Sequence, residues 1–445
     1  MYILYITVLF LTFLFIDIIY IFYMESSTMG QNIKKRLTSM ANLMSQGLSH
    51  VWNNITDPAK LIQGMNESFA SMIIIIMIML SVLLMIFNFY RMRNLESKEC
   101  SAFDKKYLLD GKIATITSAS TNVDINSPMN YQHQLRDYYI KTAYNACSGG
   151  KSKNDVVSIC ILKDLIKQGV RGFDFEIYSI GNQPVVATST VDSYYVKETY
   201  NFVPFSDVLL TLKNFAMGSA NGTCPNPTDP IILHFRMKSS NQQMYTNFAK
   251  LLKGMDDYLL GPQYSCEYSG CNSDASGVMI SQNLGSVPLL QLCNKIIIIA
   301  DKTNTSFIEN DDFREFVNMT SGSTFMRALN YYDVKFTPDM NELIEYNKLQ
   351  MTICLPDQGT NPVNPSGIVA RGLGCQMVAM RYQMPDSFLS EDSTFFDSCG
   401  HAFCLKPVPL RYIPVYIAAP TPPNPNLSYA SRTTADPAGL YSYKT

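Results

Sequence analysis

Histidine is scarce in this chain. Only His50, His133, His234 and His401 occur in 445 residues, so a reaction that needs paired imidazoles has few places to find them. Charge of one sign is also missing: the formal net charge is −2, and no global field favours nucleic acid. No cysteine precedes Cys100, and all eleven lie between it and Cys404. An odd count leaves at least one thiol free, and no spacing among them matches a zinc site. Cys160 and Cys293 sit in apolar runs and read as buried. Cys266 with Cys271, and Cys399 with Cys404, are spaced to pair locally. Sequons at Asn221, Asn304, Asn318 and Asn426 matter only if this part of the chain is lumenal.

Long apolar runs are present, and they are concentrated near the start. Residues 1–23 are almost wholly apolar and long enough to cross a bilayer, with no basic leader or small-residue cut site, so an uncleaved anchor is expected. Asp17 inside it needs another helix or water. A second span runs over 69–90, ending at Tyr90 and followed by Arg91 and Arg93 as interfacial anchors. Two spans place both termini on one side of a membrane. Basic residues on the two flanks nearly balance and do not choose which side. Between the spans, over 24–68, Ile33, Leu37, Met40, Met44, Leu48 and Val51 recur at helical spacing. They suit a helix on the membrane surface or one packed on the folded domain.

Residues 91–128 read as a linker with one short element. From 129 to 416 no repeat or low-complexity break occurs, and helical and strand patterns alternate. Helices are expected over 155–168, closed by Gly169, over 206–217 and over 242–260. Strands are expected over 230–237, 295–300, 376–382 and 402–405. Near-continuous apolar strands alternating with helices predict an α/β fold, a TIM-like (β/α)8 barrel with an N-terminal pair of transmembrane helices. After Pro414 the composition turns to Pro, Ser and Thr, and 417–445 is expected to be disordered.

The stretch that organises the barrel is Gly169–Ala187, GVRGFDFEIYSIGNQPVVA. Phe173, Phe175 and Ile177 leave one face of a strand, Asp174 and Glu176 the other. Two carboxylates at i and i+2 repel unless a cation or a proton lies between them, or unless the strand is a solvated edge.

Six segments in order resemble the catalytic barrel of eukaryotic phosphoinositide-specific phospholipase C. LRDYYIKTAYNAC from Leu135 resembles LSHYFISSSHNTY, and the stretch above resembles GCRCLELDCWDG with its following PVVYHG. VPFSDVLLTLKNFAM and PIILHFRM resemble the helix and strand around PVILSLEN. GCQMVAMRYQMPDSFL from Gly374 and CGHAFCLKPVPLR from Cys399 resemble GCQIVALNFQTPG and CGYVLKPxxLR. The resemblance divides the barrel into a first half, 129–302, and a second, 303–416. The family's accessory modules have no counterpart, and the expected spans stand in their place. A compact frame rich in Ile, Asn and Met suits a large DNA virus, which would put the protein in a virion or a host internal membrane.

The resemblance implies a phosphodiesterase that uses two histidines and one Ca²⁺, with the membrane bilayer and phosphoinositide head groups as partners. Carried over position by position, it fails at the chemistry. The histidine positions are Tyr144 and Thr188, neither of which titrates near neutrality. The calcium positions keep oxygen donors at Asn145, Asp174 and Glu176, but the fourth is Arg236, a permanent cation in a cation's place. Each positioned acid or base is worth about 10²–10⁴ in rate, so losing both leaves little catalysis. Head-group contacts are lost as well, at Ile299, Asp301, Pro362 and Asn364. His234, two residues before Arg236, shares its face. It reads as a satisfied barrel histidine or, less often, as a relocated catalyst. The expectation is therefore a membrane-anchored, phospholipase C-like module without hydrolysis and without a cofactor. The alternative is an active phosphoric diester hydrolase with a rearranged acid/base set, using Ca²⁺.

Overall fold

The computed structural model describes residues 69–107, 111–116, 132–191, 193, 195–217, 224–261, 264, 283–413 and 431–444. It falls into two units, one ending at Met92 and one running from Arg93 to Thr445. The described part of the first unit lies in a single helix, Phe69–Arg93, whose last residue is the first of the second unit. Among the described residues one helical stretch, Met77–Lys106, is long and apolar enough to cross a membrane, and Met77, Met79, Leu83 and Phe87 are exposed along it. The expected span over 1–23, the amphipathic stretch over 24–68 and His50 lie outside the described residues.

The second unit is a barrel. In chain order its strands are β1 (Tyr138–Ala143), β2 (Gly172–Ile180), β3 (Gln183–Ala187), β4 (Val203–Pro204), β5 (Ile231–Met237), β6 (Ile296–Asp301), β7 (Met319–Ser321), β8 (Met326–Asn330), β9 (Met351–Leu355), β10 (Met377–Met380) and β11 (Phe403–Leu405). Eight of them run parallel in the order β7-β6-β5-β2-β1-β10-β9-β8. The ladder closes on itself except between β7 and β8. A tight turn joins those two, with Ser323 N donating to Met326 O at 3.0 Å. β3 folds back on β2 through Gly181 and Asn182, both at positive φ, which is the backbone a two-residue hairpin turn requires. β11 pairs antiparallel with the start of β1.

Alternation along each strand separates two cores. Phe173, Phe175 and Phe235 face outward, and Phe175 and Phe235 stack with Phe205 and Phe248 beneath helices Phe205–Thr211 and Gln242–Lys253. Ile140, Ile232, Ile297, Ile299, Ile353, Met377 and Ala379 face inward and fill the barrel. β6 (IIIIAD) is buried on both faces, which is why it reads as an unbroken apolar run. Helix Ile159–Lys167 is capped by Ser158, whose Oγ accepts from Cys160 N, and ends against Gly169 at φ +71°.

Several expectations change. The stretch over 91–128 is more than a linker: helix Leu95–Lys106 buries Phe103, and Ile113 and Ile116 enter the second core. Cys160 is bonded to Cys100 rather than merely buried, while Cys399–Cys404 is a disulfide as spaced; Cys266 and Cys271 lie outside the described residues. The helix expected over 242–260 stops at Lys253. Asn304 and Asn318 are buried and bonded to backbone, so neither presents an acceptor for a glycan, and Asn221 and Asn426 lie outside the described residues. In the tail expected to be disordered, Thr433–Ala435 pairs with Ser442–Lys444 as an exposed hairpin. Residues 414–430 are outside the described set.

Candidate active site

The C-terminal ends of β1, β2 and β5 bring together most of the residues singled out by sequence. In-register pairing sets Asp174 beside His234 and Glu176 beside Arg236, all pointing into the barrel and all buried. Asn145, just past β1, adopts φ +45°, a left-handed conformation that Asn tolerates better than most residues. That turn aims both its backbone N–H and its amide at the acidic pair.

The guanidinium of Arg236 lies between the two carboxylates. Its Nε and Nη2 donate to Asp174 Oδ1 and Oδ2 at 3.1 and 2.8 Å, and its Nη1 is 3.2 Å from Glu176 Oε1. Nη2 also donates to Asn145 Oδ1 at 2.8 Å, and the group sits 4.6 Å from the centroid of the Tyr144 ring. This forked geometry is one that a planar, permanently charged donor supplies and a lysine does not.

The remaining lone pairs are also taken. Asp174 Oδ1 accepts from His234 Nδ1 at 2.7 Å and Oδ2 from Asn145 N at 3.2 Å. Glu176 Oε1 accepts from Asn145 Nδ2 at 3.0 Å. Its Oε2 accepts from the Tyr178 hydroxyl at 2.7 Å, from Ser189 N at 2.9 Å and from the Ser189 hydroxyl at 3.1 Å. Every carboxylate oxygen of the pair therefore has at least two protein partners, the capacity of an ionised carboxylate. Burial alone pushes the Asp174 carboxyl up. The Arg236 charge and the hydrogen bonds from His234 and Arg236 outweigh it and hold the group well below the usual carboxylate range.

His234 is wholly buried and both of its ring nitrogens are engaged, Nδ1 with Asp174 and Nε2 with Ser321 Oγ at 2.8 Å; the Ser321 hydroxyl in turn donates to Asp301 Oδ2 at 2.8 Å. Thr188 stands apart from this cluster: its hydroxyl donates to Ser152 O at 2.9 Å, and its neighbour Ser189 is the residue that reaches Glu176. Ile299 lines the barrel below the site and Asp301 lies at its edge. The Asn364 amide is consumed by Met384 O and Asp386.

The loops over this side of the mouth are tied to one another. Ser152 N donates to Thr360 O, Gly359 N to Thr190 O, Asn154 N to Glu198 O and Tyr200 N to Asp155 O, each between 2.9 and 3.0 Å. Arg381, fully buried, joins Gly150 O at 3.0 Å to Asn361 and Pro362. Tyr144 and Thr188 are buried beneath them. What stays open is a pocket of about 190 Å³ beside Arg236, lined also by Tyr195, Lys238, Asp301, Asn304 and Asn330.

The donor set does not fit a divalent cation. Calcium needs several free oxygen ligands converging on one point, whereas here the point is filled by a guanidinium and the oxygens are spoken for. Among the described residues no group of three or more acidic, Cys or His side chains is arranged for a metal. Three residues of the site were not legible from sequence. Tyr178, Ser189 and Ser321 are neutral and unpatterned, and only β-pairing and the hairpin bring them in.

The sequence matches no protein-family model and no curated protein. Solved structures are similar to it in chain path. L. pealei PLC21 has 17% identity and a TM-score of 0.49, over 64% of this chain and 38% of that one. A calcium-dependent phosphoinositol-specific phospholipase C from Pseudomonas sp. has 11% identity and a TM-score of 0.35, over 63% and 97%. A calcium-dependent phosphatidylinositol-specific phospholipase C from Streptomyces antibioticus has 9% identity and a TM-score of 0.38, over 62% and 99%. The chain thus spans 38% of the length of the L. pealei protein it matches.

Proposed function

We propose that this chain is a phospholipase C-like barrel that no longer hydrolyses phosphodiesters and serves as a binding or structural module held at a membrane. The observation that carries the reading is Arg236 lodged between Asp174 and Glu176. In the resembling enzymes an inositol hydroxyl attacks its own phosphodiester, which requires a group to take the proton, a group to protonate the leaving oxygen, and a cation to lower the hydroxyl's pKa. Here Asp174 is held ionised and shared between Arg236 and His234, so it is a poor proton acceptor. Tyr144 and Thr188 replace the imidazoles, and the tied loops close over both. The apolar helix Phe69–Arg93 supports attachment to the bilayer. Two spans, with the barrel and the N-terminus on one side, complete the proposal.

A second reading, an active hydrolase with rearranged groups, draws on the open pocket beside Arg236 and Asp301. One assay separates the two: head-group release from phosphoinositide-containing vesicles by the full chain, with Ca²⁺ and with a chelator. Release at the no-protein rate under both conditions is expected. Turnover that Glu176→Ala abolishes would establish the hydrolase instead.

A further inference from the structure

Outside the barrel mouth, the helix Leu95–Lys106 presents an unusual combination. It follows the apolar helix Phe69–Arg93 after a single residue, and it lies along helix Ile159–Lys167 of the barrel. Its noncovalent hold is concentrated at its C-terminal end, where Phe103 and the following Tyr107 pack on the core and the Tyr107 ring lies 5.8 Å from that of Tyr382. Phe103 is the buried residue of the helix, Asp104 reaches Lys167 at 3.4 Å across an exposed surface, and Lys106 and Tyr107 donate to Tyr382 O. An exposed ion pair contributes little and a helix this short is marginal by itself, so apolar contacts at one end leave its N-terminal turns weakly held. The Cys100–Cys160 disulfide closes a 60-residue separation and supplies the rest.

That disulfide is also within reach of small molecules. Both cysteines line an open depression of about 420 Å³ whose walls carry Lys163, Lys167, Asp104 and Phe215. Among the described unpaired cysteines, Cys147, Cys354 and Cys375 are buried, and Cys224 and Cys293 are half-buried.

We propose that Leu95–Lys106 is a redox-fastened strap, locked on the barrel by Cys100–Cys160 and released by a small dithiol entering that depression. The thiolate of the dithiol attacks one sulfur, the Cys100–Cys160 bond breaks, and a mixed disulfide forms. The second thiol of the dithiol resolves it. The protein gains two protons and two electrons as two cysteines, and the dithiol leaves as its own disulfide. Release frees Leu95–Lys106 from the barrel surface while Ile113 and Ile116 stay packed in the core.

The test uses the full chain in detergent. Peptide mapping without reductant should find Cys100 joined to Cys160. Amide hydrogen exchange should then rise over 95–107 by about thirtyfold on adding dithiothreitol or in Cys100→Ser, while β5 and β6 stay protected. A Cys399→Ser/Cys404→Ser variant should respond to dithiothreitol in the same way, which assigns the effect to the first disulfide. Free thiols at Cys100 and Cys160, unchanged strap exchange after reduction, or simultaneous opening of β5 and β6 would each overturn the proposal.

Discussion

Arg236 shares its strand face with His234 and its ligands with Asn145, so its removal leaves more than a gap. Arg236→Ala strips the counter-charge from two wholly buried carboxylates and should cost about 3–5 kcal/mol in denaturant unfolding. Arg236→Lys should recover only part of this, because a point charge cannot donate in a fork to Asp174 and also reach Glu176. The pH dependence has a definite sign. A carboxyl held below its ordinary value of 3.8 contributes stability that is fully present above that pH and is lost as pH falls through the folded value. Without Arg236, burial raises the Asp174 carboxyl in the variant, so the advantage of wild type should be greatest at high pH and shrink progressively on acidification as the variant's carboxyl takes up its proton first. A gap that widens on acidification would mean that Asp174 is not held ionised by Arg236.

At the scale of the element, Thr142 of β1 stands in register with Gly172 of β2, and its side chain fills the space where a Gly172 side chain would go. A Cβ on Gly172 would lie 2.5 Å from Thr142 Oγ1 and 3.0 Å from its Cβ and Cγ2. Gly172→Ala should then destabilise the barrel by about 1–3 kcal/mol through forced separation of the two strands, with partial recovery when Thr142→Ala is added. A neutral Gly172→Ala in thermal unfolding would contradict this packing. The same scale explains what the sequence discloses. β5 and β6 are legible as strands because a parallel barrel buries both faces, and Asp174 and Glu176 are legible because they break such a run. β7 and β8 are not, since MTS and MRALN carry no apolar run and gain their partners from neighbouring strands. Ser321 is hidden with β7, and Ser189 depends on the Gly181–Asn182 turn for its place. The Cys100–Cys160 bond joins residues too far apart for spacing to suggest it.

Across the whole second unit, one design accounts for the site. A barrel rim that would otherwise repel its own carboxylates is neutralised by an internal cation, and the loops above it are bonded into a cover. Such an arrangement favours a rigid, permanently closed mouth on the Tyr144 side over one that takes up and releases an ion. The most direct test is a calorimetric titration of the full chain in detergent with Ca²⁺, alongside Arg236→Glu. No binding heat at millimolar Ca²⁺ for wild type, with a site gained in Arg236→Glu, is the expected result. Calcium binding by wild type that Asp174→Asn abolishes would contradict the account.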